Sequence, residues 1–220
     1  MTRTVDKQVD KQSVDMKRLA HDERADFAAF LATLSPEQWD APSLCAGWRV
    51  RDVVAHVISY DELSTRDLLG RFAKGRFLPD RVNAIGLAEY NTRSPDELLT
   101  VLEDHLEPRG LTAGFGGMIA LTDGLIHQQD IRRPLGMPRD IPPQRLLPAL
   151  RLALFAPVIR GFWRVRGVRL AATDVDWSFG TGPEARGPAE SLLMAIAGRR
   201  CAVEELSGPG QRKLADRMAG

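Results

Sequence analysis

Val50, Val53, Val54 and Val57 stand at i, i+3, i+4 and i+7, a spacing that puts all four on one face of an α-helix. The same period recurs up to about residue 159, in stretches cut by proline and glycine. Met16, Leu19, Phe27, Phe30, Leu31 and Leu34 predict a helix over about 14–34. The valine stripe predicts one from Val50 to about Leu69, followed by a loop or broken helix over Gly70–Tyr90. Ser35-Pro36-Glu37-Gln38 and Ser94-Pro95-Asp96-Glu97 both read as capping boxes with proline at the first helical position. They predict a short helix carrying Trp39 and a longer one through Leu98, Val101, Leu102 and Leu106. Further helices are expected over about 118–133, stopped by Pro134 and Gly136, and from Leu146 towards Ile159. A chain so patterned buries its apolar stripes by packing helix on helix.

After Gly161 the pattern changes. Val165–Thr173 and Asp176–Gly180 carry β-branched and aromatic residues with partial alternation, and read as strands beside a turn at Gly180–Pro183. A helix over about 188–198 follows. The expected fold class is mainly α, a helical bundle followed by a small α+β C-terminal domain. Its expected boundaries are a flexible leader over 1–14, the bundle over 15–160 and the C-terminal domain over 161–220.

Composition narrows the function. The 220 residues hold 30 Lys and Arg against 29 Asp and Glu, a net charge of +1. A balanced chain without a basic, aromatic-interleaved stripe gives no support to nucleic-acid or anionic-membrane binding. Cys45 and Cys201 form no CxxC pair and no disulfide framework, which fits reduced thiols. The polar N-terminus lacks the apolar core of a signal peptide, and no window approaches a membrane span. The expected location is cytoplasmic, as a monomer or homodimer.

Any histidine chemistry must draw on His21, His56, His105 and His127. Asp123 and His127 lie four apart on one predicted helix face, so their side chains stack one turn apart. A carboxylate and an imidazole so placed can grip one metal ion. His56, close to the buried valine stripe, is the candidate third ligand. Two histidines and one carboxylate leave open positions, which suits catalysis. Such a pair also serves ordinary helix electrostatics, and a mid-helix histidine is also compatible with a hydrogen-bonded core role. His21, in a charged run, and His105, near a helix C-terminus, read as surface residues.

The segment Asp40-Ala-Pro-Ser-Leu-Cys-Ala-Gly-Trp-Arg-Val-Arg-Asp-Val-Val-Ala-His56 resembles a signature of the mycothiol-dependent maleylpyruvate isomerase family, within the DinB/YfiT-like metal-binding four-helix bundles. Asp123-Gly-Leu-Ile-His127-Gln-Gln-Asp130 and its following helix stop resemble a second. Ala172–Gly180, Gly187-Pro188-Ala189 and Gly198-Arg199 resemble the family's C-terminal domain. The resemblance implies a divalent metal, usually zinc, on His56, Asp123 and His127, and mycothiol as thiol cosubstrate. The isomerases carry Glu at the position of Asp123, so this chain keeps the charge one methylene shorter. A metal-bound thiol gives thiolate at neutral pH, able to attack an electrophilic double bond or leaving-group carbon. Asp130 can orient a ligand histidine from behind or pair with Arg133. Arg199 can anchor a carboxylate of the thiol or substrate, and also fits the charged end of a helix. Trp48 can line a pocket or pack in the core, and Cys45 reads as structural. The expected function is a metal- and mycothiol-dependent transferase or isomerase acting on a small electrophilic metabolite or xenobiotic. The alternative is a non-catalytic metal- or ligand-binding protein on the same scaffold.

Overall fold

The computed structural model describes residues 2–90 and 92–218, with side chains from Met16 onward. The chain divides into two compact units, Met1–Pro138 and Arg139–Gly220. The first holds α1 (Thr2–Leu31), α2 (Pro36–Trp39), α3 (Val50–Ile58), α4 (Thr65–Lys74), α5 (Pro79–Tyr90), α6 (Pro95–Asp104) and α7 (Met118–Arg132). The leader expected over 1–14 lies outside the residues whose side chains are described.

Four of these helices form the bundle. α1 and α3 each pack against both α6 and α7, which closes a ring in the order α1, α7, α3, α6. The predicted stripes face its interior, with Phe27 and Leu31 from α1, the four valines from α3 and Leu98 and Leu102 from α6, and Ile131 of α7 joins them. Each such side chain contributes roughly 1.5–3 kcal/mol on leaving water. The ring also fixes the approach of α1 to α7. Gly117 caps α7 at φ 94°, and a Cβ there would lie 3.2 Å from that of Ala20. A side chain at this position would be strained by both the backbone and its neighbour.

Both capping boxes form. The Ser35 and Ser94 hydroxyls accept the backbone N–H of Gln38 and Glu97, and those side chains return to the serine N–H groups. They satisfy orphan donors and start α2 and α6 where the serines predict.

The helix expected to run to Leu69 ends instead at Ile58. The Ser59 hydroxyl donates to the His56 carbonyl at 3.0 Å, and the chain turns so that Asp61 enters the interior. There Asp61 takes a two-pronged ion pair from Arg24 of α1, with N···O distances of 2.8 and 3.2 Å. Thr112 adds a hydroxyl donor at 2.6 Å. A buried carboxylate is tolerated only with such partners. Ser64 then caps a new helix, α4, by accepting the Asp67 N–H. The region Gly70–Tyr90, expected as loop or broken helix, supplies the rest of α4 and all of α5, which opens on Pro79.

The second unit holds α8 (Pro143–Phe155), α9 (Gly161–Val165), β1 (Arg169–Ala172), β2 (Ser178–Phe179), β3 (Glu184–Gly187), α10 (Ala189–Ile196), α11 (Arg200–Glu204) and α12 (Pro209–Arg217). The sheet order is β2-β1-β3, with β1 antiparallel to β2 and parallel to β3. Strand β3 falls after the predicted turn and has no counterpart in the sequence reading. Helix α8, expected in the bundle, packs on α10, whose Leu192, Leu193, Met194 and Ile196 are fully buried. Among the described residues no helix is long and apolar enough to cross a membrane.

Candidate metal centre

Helix α3 turns its valines inward and leaves His56 at the edge of the buried face, with 12% of its side chain exposed. Trp48 lies on one side of the imidazole at a ring distance of 5.2 Å. Tyr60, one turn further along the chain, meets it edge-on at 5.9 Å. Because α3 packs against α7, His56 faces the turn of α7 that carries Asp123 and His127. The two histidine rings meet with centroids 4.8 Å apart.

Three donor atoms converge there. Asp123 Oδ1 lies 3.4 Å from His127 Nε2 and 3.9 Å from His56 Nε2. All three donors fall within 4.8 Å of one another. Around a tetrahedral ion, bonds of about 2.0–2.2 Å set donors roughly 3.3–3.6 Å apart. The shorter Asp123 separation matches these edges and the longer exceeds them by about 0.3 Å, and two imidazoles with one carboxylate are a donor set that suits a divalent ion of the zinc type. The aspartate, one methylene shorter than the glutamate the resemblance leads one to compare it with, reaches both histidines.

The far side of His127 is equally well built. Its Nδ1 lies 2.9 Å from Oδ2 of Asp130, whose side chain is fully buried. The Cys45 thiol donates to the same carboxylate oxygen at 3.2 Å and lies 3.8 Å from His127 Nδ1. A carboxylate behind a ligand histidine fixes its tautomer and ring orientation.

The electrostatics are mutual. Burial pushes the Asp123 carboxyl up, but the charge and contact of His127, with His56 and Arg24 behind them, hold it below its ordinary value. Burial pushes the His127 imidazole down, but Asp123, Asp130 and Cys45 together hold it well above its usual 6.5. Two negative side chains thus converge on one histidine, a field that attracts a cation.

The structure brings His56, Asp123, His127 and Asp130 together within the first unit. Arg199 belongs to the second, where it precedes α11 and its Nη1 donates to the Ala197 carbonyl at 2.8 Å. His21 lies beside Asp22 with 37% of its side chain exposed, and His105 caps the C-terminus of α6. Two neighbours were not expected at the site: Cys45, read as structural, and Tyr60, which the sequence did not single out. Cys45 has no histidine adjacent in the chain, since its partners stand 82 and 85 positions away. Tyr60 lies past the valine stripe. The available signal was position: the loop holding Cys45 leads directly into the His56 helix.

Comparison with known families adds an independent line. Residues 20–109 match the family model of the mycothiol maleylpyruvate isomerase N-terminal domain. The resemblance drawn from the motifs is therefore borne out. The match to this isomerase domain takes in Cys45 and His56 and ends before Asp123. Two crystal structures share the fold over 90% of this chain and 92% of theirs. One is an alanine mutant of the mycothiol-dependent maleylpyruvate isomerase, at TM-score 0.62 and 15% identity. The other is the mycothiol-dependent maleylpyruvate isomerase itself, at 0.56 and 14%. At such identities the likeness is one of fold, a bundle followed by a small α+β part. No curated protein matches the chain.

Proposed function

We propose that this chain is a divalent-metal- and mycothiol-dependent isomerase or S-transferase acting on a small electrophile. The observation that carries the reading is the convergence of His56 Nε2, Asp123 Oδ1 and His127 Nε2 from two helices. Support comes from the isomerase-domain match over residues 20–109. Zinc is the metal that two imidazoles and one carboxylate suit best, and this ligand number leaves a coordination position open.

Bound there, such an ion would lower the pKa of a coordinating thiol and make thiolate available at neutral pH. The protein's own residues set the conditions for that chemistry. Asp123 brings the negative charge that offsets part of the cation's. Asp130 holds the Nδ1 side of His127 and so keeps Nε2 aimed at the site. The rings of Trp48, tilted, and Tyr60, edge-on, pack beside His56 and limit its movement. A thiolate so supplied would be the nucleophile for reversible addition to an activated double bond, leaving again after rotation, or for displacement of a leaving group. Asp130 is a positioning residue in this scheme.

The test is turnover with zinc, mycothiol and maleylpyruvate, alongside a panel of other electrophiles. Wild type should turn over one of them, and chelation or His127→Ala should abolish the rate. Stoichiometric metal with no thiol-dependent turnover of any electrophile would replace the enzyme by a metal-binding protein on the same scaffold.

A further inference from the structure

The loop between α2 and α3 grips α7 at one residue. The Leu44 N–H donates to the backbone carbonyl of Asp130 at 2.9 Å. The next residue, Cys45, donates its thiol to the Asp130 carboxylate at 3.2 Å. Cys45 is itself fixed, since its N–H donates to the Ser43 hydroxyl at 3.1 Å and its carbonyl accepts the Trp48 N–H at 2.9 Å. The thiol therefore points where the backbone sets it.

We infer that Cys45 is a positioning residue for the proposed metal centre: its thiol holds the Asp130 carboxylate, which in turn holds His127 so that Nε2 faces His56 and Asp123. This rests on the metal reading above. One oxygen, Asp130 Oδ2, meets both the Cys45 thiol and His127 Nδ1, so a shift of the carboxylate moves the imidazole with it. The carboxylate is fully buried, and a buried carboxylate that loses a donor must reorganise. Outer partners of this kind tune metal affinity without touching the ion. The Cys45, His127 and Asp130 donors also lie close enough together to hold an ion directly, so the experiment must separate the two roles.

The experiment measures Zn²⁺ affinity by competition with a chromophoric chelator, and the absorption spectrum of the Co²⁺-loaded protein. Cys45→Ala should weaken Zn²⁺ binding by about 10–100-fold, the range for an outer partner. Cys45→Ser, which keeps an O–H donor, should recover most of that loss. In an Asp130→Asn background, Cys45→Ala should cost little more, because the link it acts through is already altered. Far-UV circular dichroism should be unchanged throughout. The wild-type Co²⁺ spectrum should lack a thiolate-to-metal band. Wild-type Zn²⁺ affinity in Cys45→Ala would overturn this inference alone. So would a thiolate band lost in Cys45→Ser, which would make Cys45 a ligand. Wild type that takes up no Zn²⁺ would overturn the metal reading, and this inference with it.

Discussion

The imidazoles of His56 and His127 meet at 79° with ring centroids 4.8 Å apart, although 70 residues of chain separate them. Helix α3 supplies one and α7 the other, and the packing of these helices sets the distance. Two imidazoles at this range can serve one ion together, with Asp123 Oδ1 as the third donor.

Removing ligands and removing their supports should differ in degree. Asp130→Asn leaves the three donors in place and should weaken Zn²⁺ binding by about 10–100-fold. Asp123→Ala removes a donor and a charge, and should cost more. Asp123→Glu restores both and should bind better than Asp123→Ala. Chelator competition on the purified variants checks the order.

Metal should also stabilise the fold. Zinc that binds only the folded chain adds about 2.7 kcal/mol at a free concentration of 100 times Kd. The thermal midpoint should therefore rise with added Zn²⁺ in wild type and stay put in His127→Ala. A scan over metal concentration reads this directly.

The metal-free protein should show a pH signature of the Asp123–His127 pair. His127 titrates well above 6.5, so its stabilising contribution is full below that pH and fades as pH rises through its raised value. Asp123 titrates below 3.8, so its contribution is full above that pH and fades only in stronger acid. The stability gap between wild type and Asp123→Asn should be widest between about pH 4 and 6.5 and narrow on the alkaline side. Urea unfolding across this range measures it. Since zinc requires the Nε2 proton of His127 to leave, Zn²⁺ affinity should keep rising above pH 6.5.

The Arg24–Asp61 pair sits in the bundle with both side chains almost wholly buried. Arg24→Ala leaves Asp61 charged and without its guanidinium, and should cost about 3–5 kcal/mol. An Arg24→Met/Asp61→Leu double variant should lose less than the two single variants summed. Urea unfolding tests both.

The sequence made the local rules legible. Ser35 and Ser94 carried their helix starts in four residues each, and the valine spacing placed α3 against the core. The i,i+4 spacing of Asp123 and His127 placed both on one face of α7. What escaped depended on distant partners. Helix α3 stops at Ile58 because Asp61 is drawn to Arg24, 37 residues upstream. Cys45 meets Asp130 only through a loop-to-helix contact. Strand β3 is a short Glu-Ala-Arg-Gly segment whose pairing with β1 supplies what its weak alternation does not.

His56, Asp123 and His127 should together hold one divalent ion. Elemental analysis of the purified chain, after zinc loading and removal of free metal, tests it most directly. About one zinc per chain in wild type, lost in His56→Ala and His127→Ala, is the predicted result. No zinc in wild type, or the same zinc in both variants, would contradict it.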